Sequence, residues 1–251
     1  MTEVSLETQG LSRHFGALTA VNGIDFKLAA GARHALIGPN GAGKTTFINL
    51  LTGVISPTHG RVLLAGRDIT AAAQAERVKL GIARTFQINR LFRGLSVLEN
   101  VCIPVAERVG AAPSMFYPAG KRVDVIEESM DLLATLKLDD VARHPVSELP
   151  YGRQRLVELA IAIGLRPQVL LLDEPAAGVP SAETHIILDA IERLPERIAV
   201  LIIEHDMDVV FRFAKHVTVM VSGTVFAEGT PREIEANQEV RSVYLGQAGH
   251  G

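Results

Sequence analysis

Eight residues constrain this chain more than any others: Gly38-Pro-Asn-Gly-Ala-Gly-Lys-Thr45. Three glycines within six positions can follow backbone paths closed to other residues and turn their amide groups to one side. The short apolar run Ala35–Ile37 before them reads as a strand, and Phe47–Leu51 after them as a helix. The segment is therefore a strand-to-helix turn with its amides converging at a helix N-terminus, which is a seat for an anion. A lysine and a hydroxyl residue at its end complete the pattern G-x-x-x-x-G-K-[ST], the phosphate loop. Lys44 reaches the β- and γ-phosphates of a nucleotide, and the Thr45 hydroxyl is placed to ligate Mg²⁺.

The rest of the chain supplies a matching frame. Strand-like runs recur at Val4–Thr8, Ile24–Leu28, His34–Ile37, Val62–Leu64, Arg84–Phe86, Val169–Leu172, Val200–Ile203, Val217–Val221 and Val225–Ala227. Helical patterns lie between several of them, which indicates an α/β domain with an antiparallel portion near the N-terminus. From Leu91 to Leu165 no strand is evident. Ser96-Val-Leu-Glu99 is a capping box, and Ile126, Met130, Leu133 and Leu136 recur at helical steps. A helical subdomain over 88–165 is thus expected between core segments 1–87 and 166–251. Ala111–Lys121 reads as a loop within it and Gln247–Gly251 as a frayed tail. Thr230-Pro-Arg-Glu233 starts a short helix.

Composition removes several function classes. The 25 basic and 28 acidic side chains leave a net charge of −3, which argues against a nucleic-acid partner. The single cysteine, Cys102, excludes an internal disulfide and a cysteine-based zinc cluster, and reads as a small buried hydrophobe. No run approaches the ~18 apolar residues of a membrane span, and the N-terminus lacks the basic and apolar regions of a signal peptide. A cytoplasmic protein is expected, linked to a membrane only through partners.

Further residues carry chemistry beside the phosphate loop. Val169-Leu-Leu-Leu-Asp173-Glu174 is a buried strand ending in two acids. Asp173 suits Mg²⁺ at the carboxyl end of the sheet, and Glu174 can polarise an attacking water. Gln87 ends a strand-like run at the hinge to the helical insert, where its amide can meet Mg²⁺ or water. His205 follows the strand Val200–Ile203 and can contact a γ-phosphate; alone it would read as a structural or surface histidine. Phe15 can stack on an adenine ring, although alone it would read as core. Leu149-Pro-Tyr-Gly-Arg-Gln-Arg155 opens another helix, whose amides and arginines could equally serve an anion or a plain helix start.

Together these motifs, in this order, resemble those of ABC-type ATPases over nearly the whole chain. Within that superfamily Ala83-Arg-Thr-Phe-Gln-Ile-Asn-Arg-Leu-Phe92, Leu98-Glu-Asn-Val101, Tyr151-Gly152 and Ala227-Glu-Gly-Thr-Pro231 resemble the LivG-type subunits of branched-chain amino acid importers. The resemblance implies a P-loop NTPase cassette: a RecA-like core, an N-terminal antiparallel β portion and an inserted α-helical subdomain. It implies ATP and Mg²⁺, adenine contacts at Phe15 and Val21, and a phosphate cradle of Gly38, Pro39, Asn40, Gly41, Ala42, Gly43, Lys44, Thr45 and Thr46. It implies Mg²⁺ contacts at Thr45, Gln87 and Asp173, Glu174 as catalytic base with Lys44, and His205 as γ-phosphate sensor. Pro150, Tyr151, Gly152 and Arg153 would act in trans on a second subunit's nucleotide.

The partners so implied are a LivF-type ATPase subunit or a second copy, two transmembrane permease subunits, and a periplasmic binding protein indirectly. The protein would then lie on the inner face of the plasma membrane. The chain departs from the family pattern at Pro150, where Ser or Ala is usual, at Arg153, and at Pro180 in Gly178-Val-Pro-Ser181. Two other readings stand beside importer ATPase. A soluble ABC ATPase acting on ribosomes or DNA usually carries two cassettes or a coiled-coil insert, which this chain lacks. A weakly hydrolysing regulatory subunit is suggested by Pro150 and Pro180 but opposed by Lys44, Asp173, Glu174 and His205.

Overall fold

The computed structural model describes residues 3–85, 91–110 and 123–245. Gln87, Phe86 at the end of one expected strand, the Ala111–Lys121 loop and the Gln247–Gly251 tail lie outside the described residues. The chain begins with β1 (Val4–Phe15), β2 (Leu18–Ala29) and β3 (Arg33–Ile37), then the glycine-rich turn and α1 (Lys44–Thr52). β4 (His59–Leu64), β5 (Arg67–Asp68), α2 (Gln74–Leu80) and β6 (Ile82–Arg84) follow. Helices α3 (Val97–Arg108), α4 (Val123–Thr135) and α5 (Tyr151–Gly164) lead to β7 (Val169–Asp173) and α6 (Ser181–Glu192). Next come β8 (Ala199–Ile203), α7 (Met207–Phe213), β9 (His216–Val221), β10 (Thr224–Gly229), α8 (Pro231–Ala236) and α9 (Gln238–Leu245).

Two compact units result. The first gathers the described residues of Met1–Ile82, Gln168–Glu174 and Pro195–Gly251. It holds an antiparallel sheet of order β2-β1-β4-β5 and the strands of a second sheet of order β10-β9-β3-β8-β7-β6, with β6 starting at its edge. β7 and β8 are buried at every residue, as befits parallel strands covered on both faces. One apolar core joins both sheets: Leu6, Leu11, Phe26 and Leu28 from the antiparallel one, Leu36, Leu171 and Leu201 from the parallel one, and Phe47, Ile48, Leu50 and Leu51 of α1. Burying such side chains stabilises by roughly 1.5–3 kcal/mol each relative to exposure.

β1 and β2 are far longer than the runs read from sequence. They pair from Val4↔Ala29 to Phe15↔Leu18 with register shifts before Leu6, Leu11, Arg13 and His14. Gly10, Gly16 and Gly23 take positive φ there. Each irregularity breaks the period-two pattern, so the strands continue where alternation stops. At the far edge, Ser222 (φ 48°) and Gly223 (φ 81°) form the two-residue turn between β9 and β10. Positive φ at both positions suits the right-handed twist of a hairpin.

The second unit comprises the described residues of Ala83–Pro167 and Pro175–Leu194. It therefore includes α6, which lies within the 166–251 segment expected in the α/β core. α3 starts at the expected capping box: the Glu99 amide donates to Ser96 Oγ, and the Ser96 amide to the Glu99 carboxylate. Asn100 is buried and bonded throughout, accepting from the Phe92 amide and donating to the carbonyls of Phe92 and Ser96. Arg108 donates to the Gly164 carbonyl at 2.9 Å and pairs with Glu128 at 2.6 Å, tying the helices together. Cys102 is free and half-buried, packed against Val105, Ala106 and Val125; burial pushes its thiol pKa up, as expected for a small hydrophobe.

Candidate functional site

Strand register sets the site in the first unit. β3 lies beside β8 and β8 beside β7, all parallel, with Leu36 and Asp173 both opposite Ile203. The chain thus leaves the sheet at one edge three times: into Gly38, into Glu174, and into Glu204 and His205. This carboxyl edge is where open α/β sheets bind ligands.

The glycine-rich turn is held by backbone approach. Gly38 (φ 155°) is so close to the Met220 carbonyl that an added Cβ would lie 2.2 Å from its oxygen. At Gly43 (φ 95°), the residue before α1, a Cβ would lie 2.3 Å from the Ala20 carbonyl oxygen. The Gly223 amide donates to the Ala42 carbonyl, and the Asn22 amide to the Gly223 carbonyl. β2 and the β9–β10 turn therefore clamp the loop from behind. α1 has no side-chain cap and no acid in its first turn, so nothing from its own sequence competes for an anion there. Asn40, Gly41 and Thr45 are exposed; Pro39, Gly43, Lys44 and Thr46 are half-buried; Gly38 and Ala42 are buried.

Lys44 curls over the loop, its amine donating to the carbonyls of Gly38 at 2.5 Å and Pro39 at 3.0 Å. Burial lowers its pKa, while the carboxylates of Glu174 and Asp173 oppose that shift. The cation is thus held on the loop, within electrostatic reach of the acidic strand end. Asp173 is buried at the end of β7. Glu174 adopts φ 47°, a left-handed conformation costing a non-glycine residue roughly 1 kcal/mol. Its amide donates to the Ile203 carbonyl at 2.9 Å, which holds the turn. His205 is exposed, with Nδ1 3.8 Å from Glu174 Oε1 and 4.0 Å from Glu204 Oε2. Such strain on an acid at a ligand-binding edge is characteristic of functional positions.

The signature belongs to the second unit. Pro150 (φ −55°) precedes α5, which has no side-chain cap. Gln154 Nε2 donates to the Leu149 carbonyl at 2.8 Å and fixes the entry to the helix. Arg155 pairs with Glu158 at 2.8 Å and lies over the Tyr151 ring at 5.0 Å. Arg153 pairs with Asp140 at 2.8 Å. A Cβ on Gly152 would lie 2.6 Å from Glu183 Oε2, and one on Gly178 would lie 3.3 Å from the Tyr151 ring. The glycines thus admit a carboxylate and an aromatic ring against the start of α5.

The expected residues divide accordingly. The loop, Asp173, Glu174 and His205 converge in the first unit, and Gln87 lies outside the described residues. Phe15 is 44% exposed at the end of β1, with the Arg13 guanidinium 4.6 Å from its ring centroid. Val21 has no exposed surface and belongs to the apolar core, its place on β2 turning it inward. Sequence reasoning missed Ala20 and Gly223 behind the loop, Glu204 beside His205, and Glu183 at Gly152. The Ser222-Gly223 turn was a visible hairpin signal, but its partner across the fold was not.

The ABC transporter family model matches residues 21–177. A second model, described as branched-chain amino acid ATP-binding cassette transporter, matches residues 224–250. The chain is 37% identical to the high-affinity branched-chain amino acid transport ATP-binding protein BraF of Pseudomonas aeruginosa, over 99% of this chain and 100% of that one. It is 38% identical to the corresponding LivG protein of Salmonella typhimurium, again over 99% and 100%. Among solved structures it resembles the ADP conformation of MJ1267, an ATP-binding cassette of an ABC transporter. There the TM-score is 0.86 at 31% identity, covering 98% of this chain and 100% of that one. Likeness that covers 99% of this chain and the whole of those relatives carries one conclusion: the chain belongs to the ABC transporter family, in its LivG and BraF group of ATP-binding proteins.

Proposed function

We propose that this chain energises an importer of branched-chain amino acids or related small organic solutes by binding ATP at Gly38–Thr46 and hydrolysing it. The observation that carries the chemistry is Glu174, held in a strained turn at the sheet edge between the Ile203 carbonyl and His205, beside the Lys44 cation. The loop amides and Lys44 hold the β- and γ-phosphates, and Phe15 offers an exposed ring for the adenine. The Thr45 hydroxyl and Asp173 carboxylate are hard oxygen donors that fit Mg²⁺, with Gln87 as a third by family pattern. When bound, Mg²⁺ neutralises charge on the phosphate oxygens. Glu174 takes the proton of a water as its oxygen bonds the γ-phosphorus, and the bond to the β–γ bridging oxygen breaks with its electron pair leaving on ADP. His205 contacts the γ-phosphate and orients it.

The relatives' names support import of branched-chain amino acids. A LivF-type partner, or a second copy, would complete the nucleotide site with its own signature. Two permease subunits, fed by a periplasmic binding protein, would hold the chain at the inner face of the membrane. Among the described residues no helix is long and apolar enough to cross a membrane, so attachment runs through those permeases. Glu174→Gln keeps size and hydrogen bonding but removes the base. ATP turnover of the assembled complex should fall about 10²–10⁴-fold with nucleotide binding retained. Wild-type turnover in this variant would overturn the assignment.

A further inference from the structure

At the opposite end of β3 from the phosphate loop, strand register gathers a second polar cluster. His34 is opposite His216 in the parallel β3–β9 pair, and Thr218 is opposite Glu228 in the antiparallel β9–β10 pair. His216 and Thr218 are two residues apart on one strand, so all four side chains share one face of the sheet. Donor atoms of His34, His216 and Glu228 lie within 4.8 Å of one another. The imidazole rings of His34 and His216 meet edge to face at 4.9 Å.

We infer that His34, His216 and Glu228 form a site for a zinc-class divalent metal ion on the β3–β9–β10 face. Two imidazoles and one carboxylate are a donor set suited to that class of ion, with a fourth position left for water. The ligand nearest the core is already oriented: His34 is buried, with Nε2 2.8 Å from Thr218 Oγ1, and that hydroxyl donates to Glu228 Oε1 at 2.7 Å. Hydrogen bonds of this kind, one step out from a metal, fix ring orientation and ligand basicity. The other two ligands are exposed and can close on an ion by rotating their side chains. The nearby Glu233 carboxylate is engaged in the capping box of α8, accepting from the Thr230 amide and hydroxyl. An ion here would tie the edge strand β10 and its neighbour β9 to β3, independently of nucleotide.

The test is zinc binding by the metal-free, nucleotide-free full chain, in competition with a chromophoric chelator. One zinc per chain is expected. His216→Gln and Glu228→Gln should each weaken it more than about 100-fold, and Thr218→Val by about 10–100-fold, the range seen on losing a second hydrogen-bonded shell. His14→Gln, in the other histidine pair (ring centroids 6.1 Å apart), should leave it unchanged. X-ray absorption should show nitrogen and oxygen ligands at about 2.0–2.2 Å. No stoichiometric zinc in the wild-type chain, or binding that survives both His216→Gln and Glu228→Gln, would overturn the site and leave only the His34–Thr218–Glu228 hydrogen-bond chain. Both test residues are exposed, so the outcome does not depend on a variant of buried His34 folding.

Discussion

Single residues of the phosphate loop differ in what they contribute. Lys44 bridges the carbonyls of Gly38 and Pro39, and under the proposed function it would bring a charge to the phosphates. A hydrogen bond to a charged group is worth roughly 1.5–3 kcal/mol, so Lys44→Ala should weaken ATP binding by about one to two orders of magnitude. Titration calorimetry checks this, and unchanged affinity would contradict the reading of the loop. The glycines separate by surroundings. At Gly41 (φ 77°) a Cβ meets nothing within 4 Å, so Gly41→Ala carries only the conformational penalty, roughly 1 kcal/mol. Gly43→Ala adds a collision with the Ala20 carbonyl and must move either β2 or the loop. Thermal unfolding and ATP affinity should therefore both suffer more in Gly43→Ala than in Gly41→Ala. Equal losses would mean that the approach of β2 does not shape the cradle.

At the scale of elements, α1 carries the site, and its far end is secured by a residue from another helix. Arg77 of α2 is 1% exposed. Its guanidinium donates to the carbonyls of Leu50 and Leu51 in the last turn of α1, and to those of Thr70 and Ala72, at 2.6–3.0 Å. A cation there also meets the negative end of the α1 dipole. Burial lowers the Arg77 pKa, with the Asp68 carboxylate opposing. Arg77→Leu should destabilise the chain by roughly 3 kcal/mol or more, since several buried carbonyls lose their donor together. Chemical denaturation measures that, and a loss below 1 kcal/mol would show that water replaces the guanidinium. The seven-residue α2 was not evident from periodicity. The capping boxes of α3 and α8 were evident, because a Ser or Thr and a Glu three residues on satisfy each other locally.

The proposed assembly makes two nucleotide sites when this chain pairs with a LivF-type partner, and they are not equivalent. One uses this chain's loop and Glu174; the other uses its signature helix. In the latter, Pro150 has neither a hydroxyl nor an amide hydrogen to offer a γ-phosphate, and α5 has no other side-chain cap. Arg153 is engaged by Asp140, and the Glu183 carboxylate lies against Gly152, adding negative charge where an anion must dock. The site built on this signature should therefore close more weakly, with most hydrolysis at the site containing Glu174. Substituting the catalytic glutamate of each subunit in turn, and comparing ATPase and transport, decides it: equal losses refute the asymmetry. Pro150→Ser should raise turnover or ATP-driven closure, and no change would mean that the helix amides already suffice.

Sequence by itself determined the features whose physics is local. The Gly38–Thr45 pattern, the acids ending β7, His205 after β8 and both capping boxes depend on neighbours within a few positions, where spacing and residue type decide hydrogen bonding. The α/β character was also legible, from short apolar runs alternating with helical ones. Tertiary structure decided what depends on register. It turned Val21 into the core, carried β1 and β2 past their irregularities, set Ala20 and Gly223 behind the loop, and placed Arg77 under α1. It also brought His34, His216 and Glu228 together from three strands. Those contacts join residues as far apart in the chain as Asn22 and Gly223, and nothing in local spacing encodes which strand lies beside which. The order β10-β9-β3-β8-β7-β6 supplies that information, and it exists only once the sheet has formed.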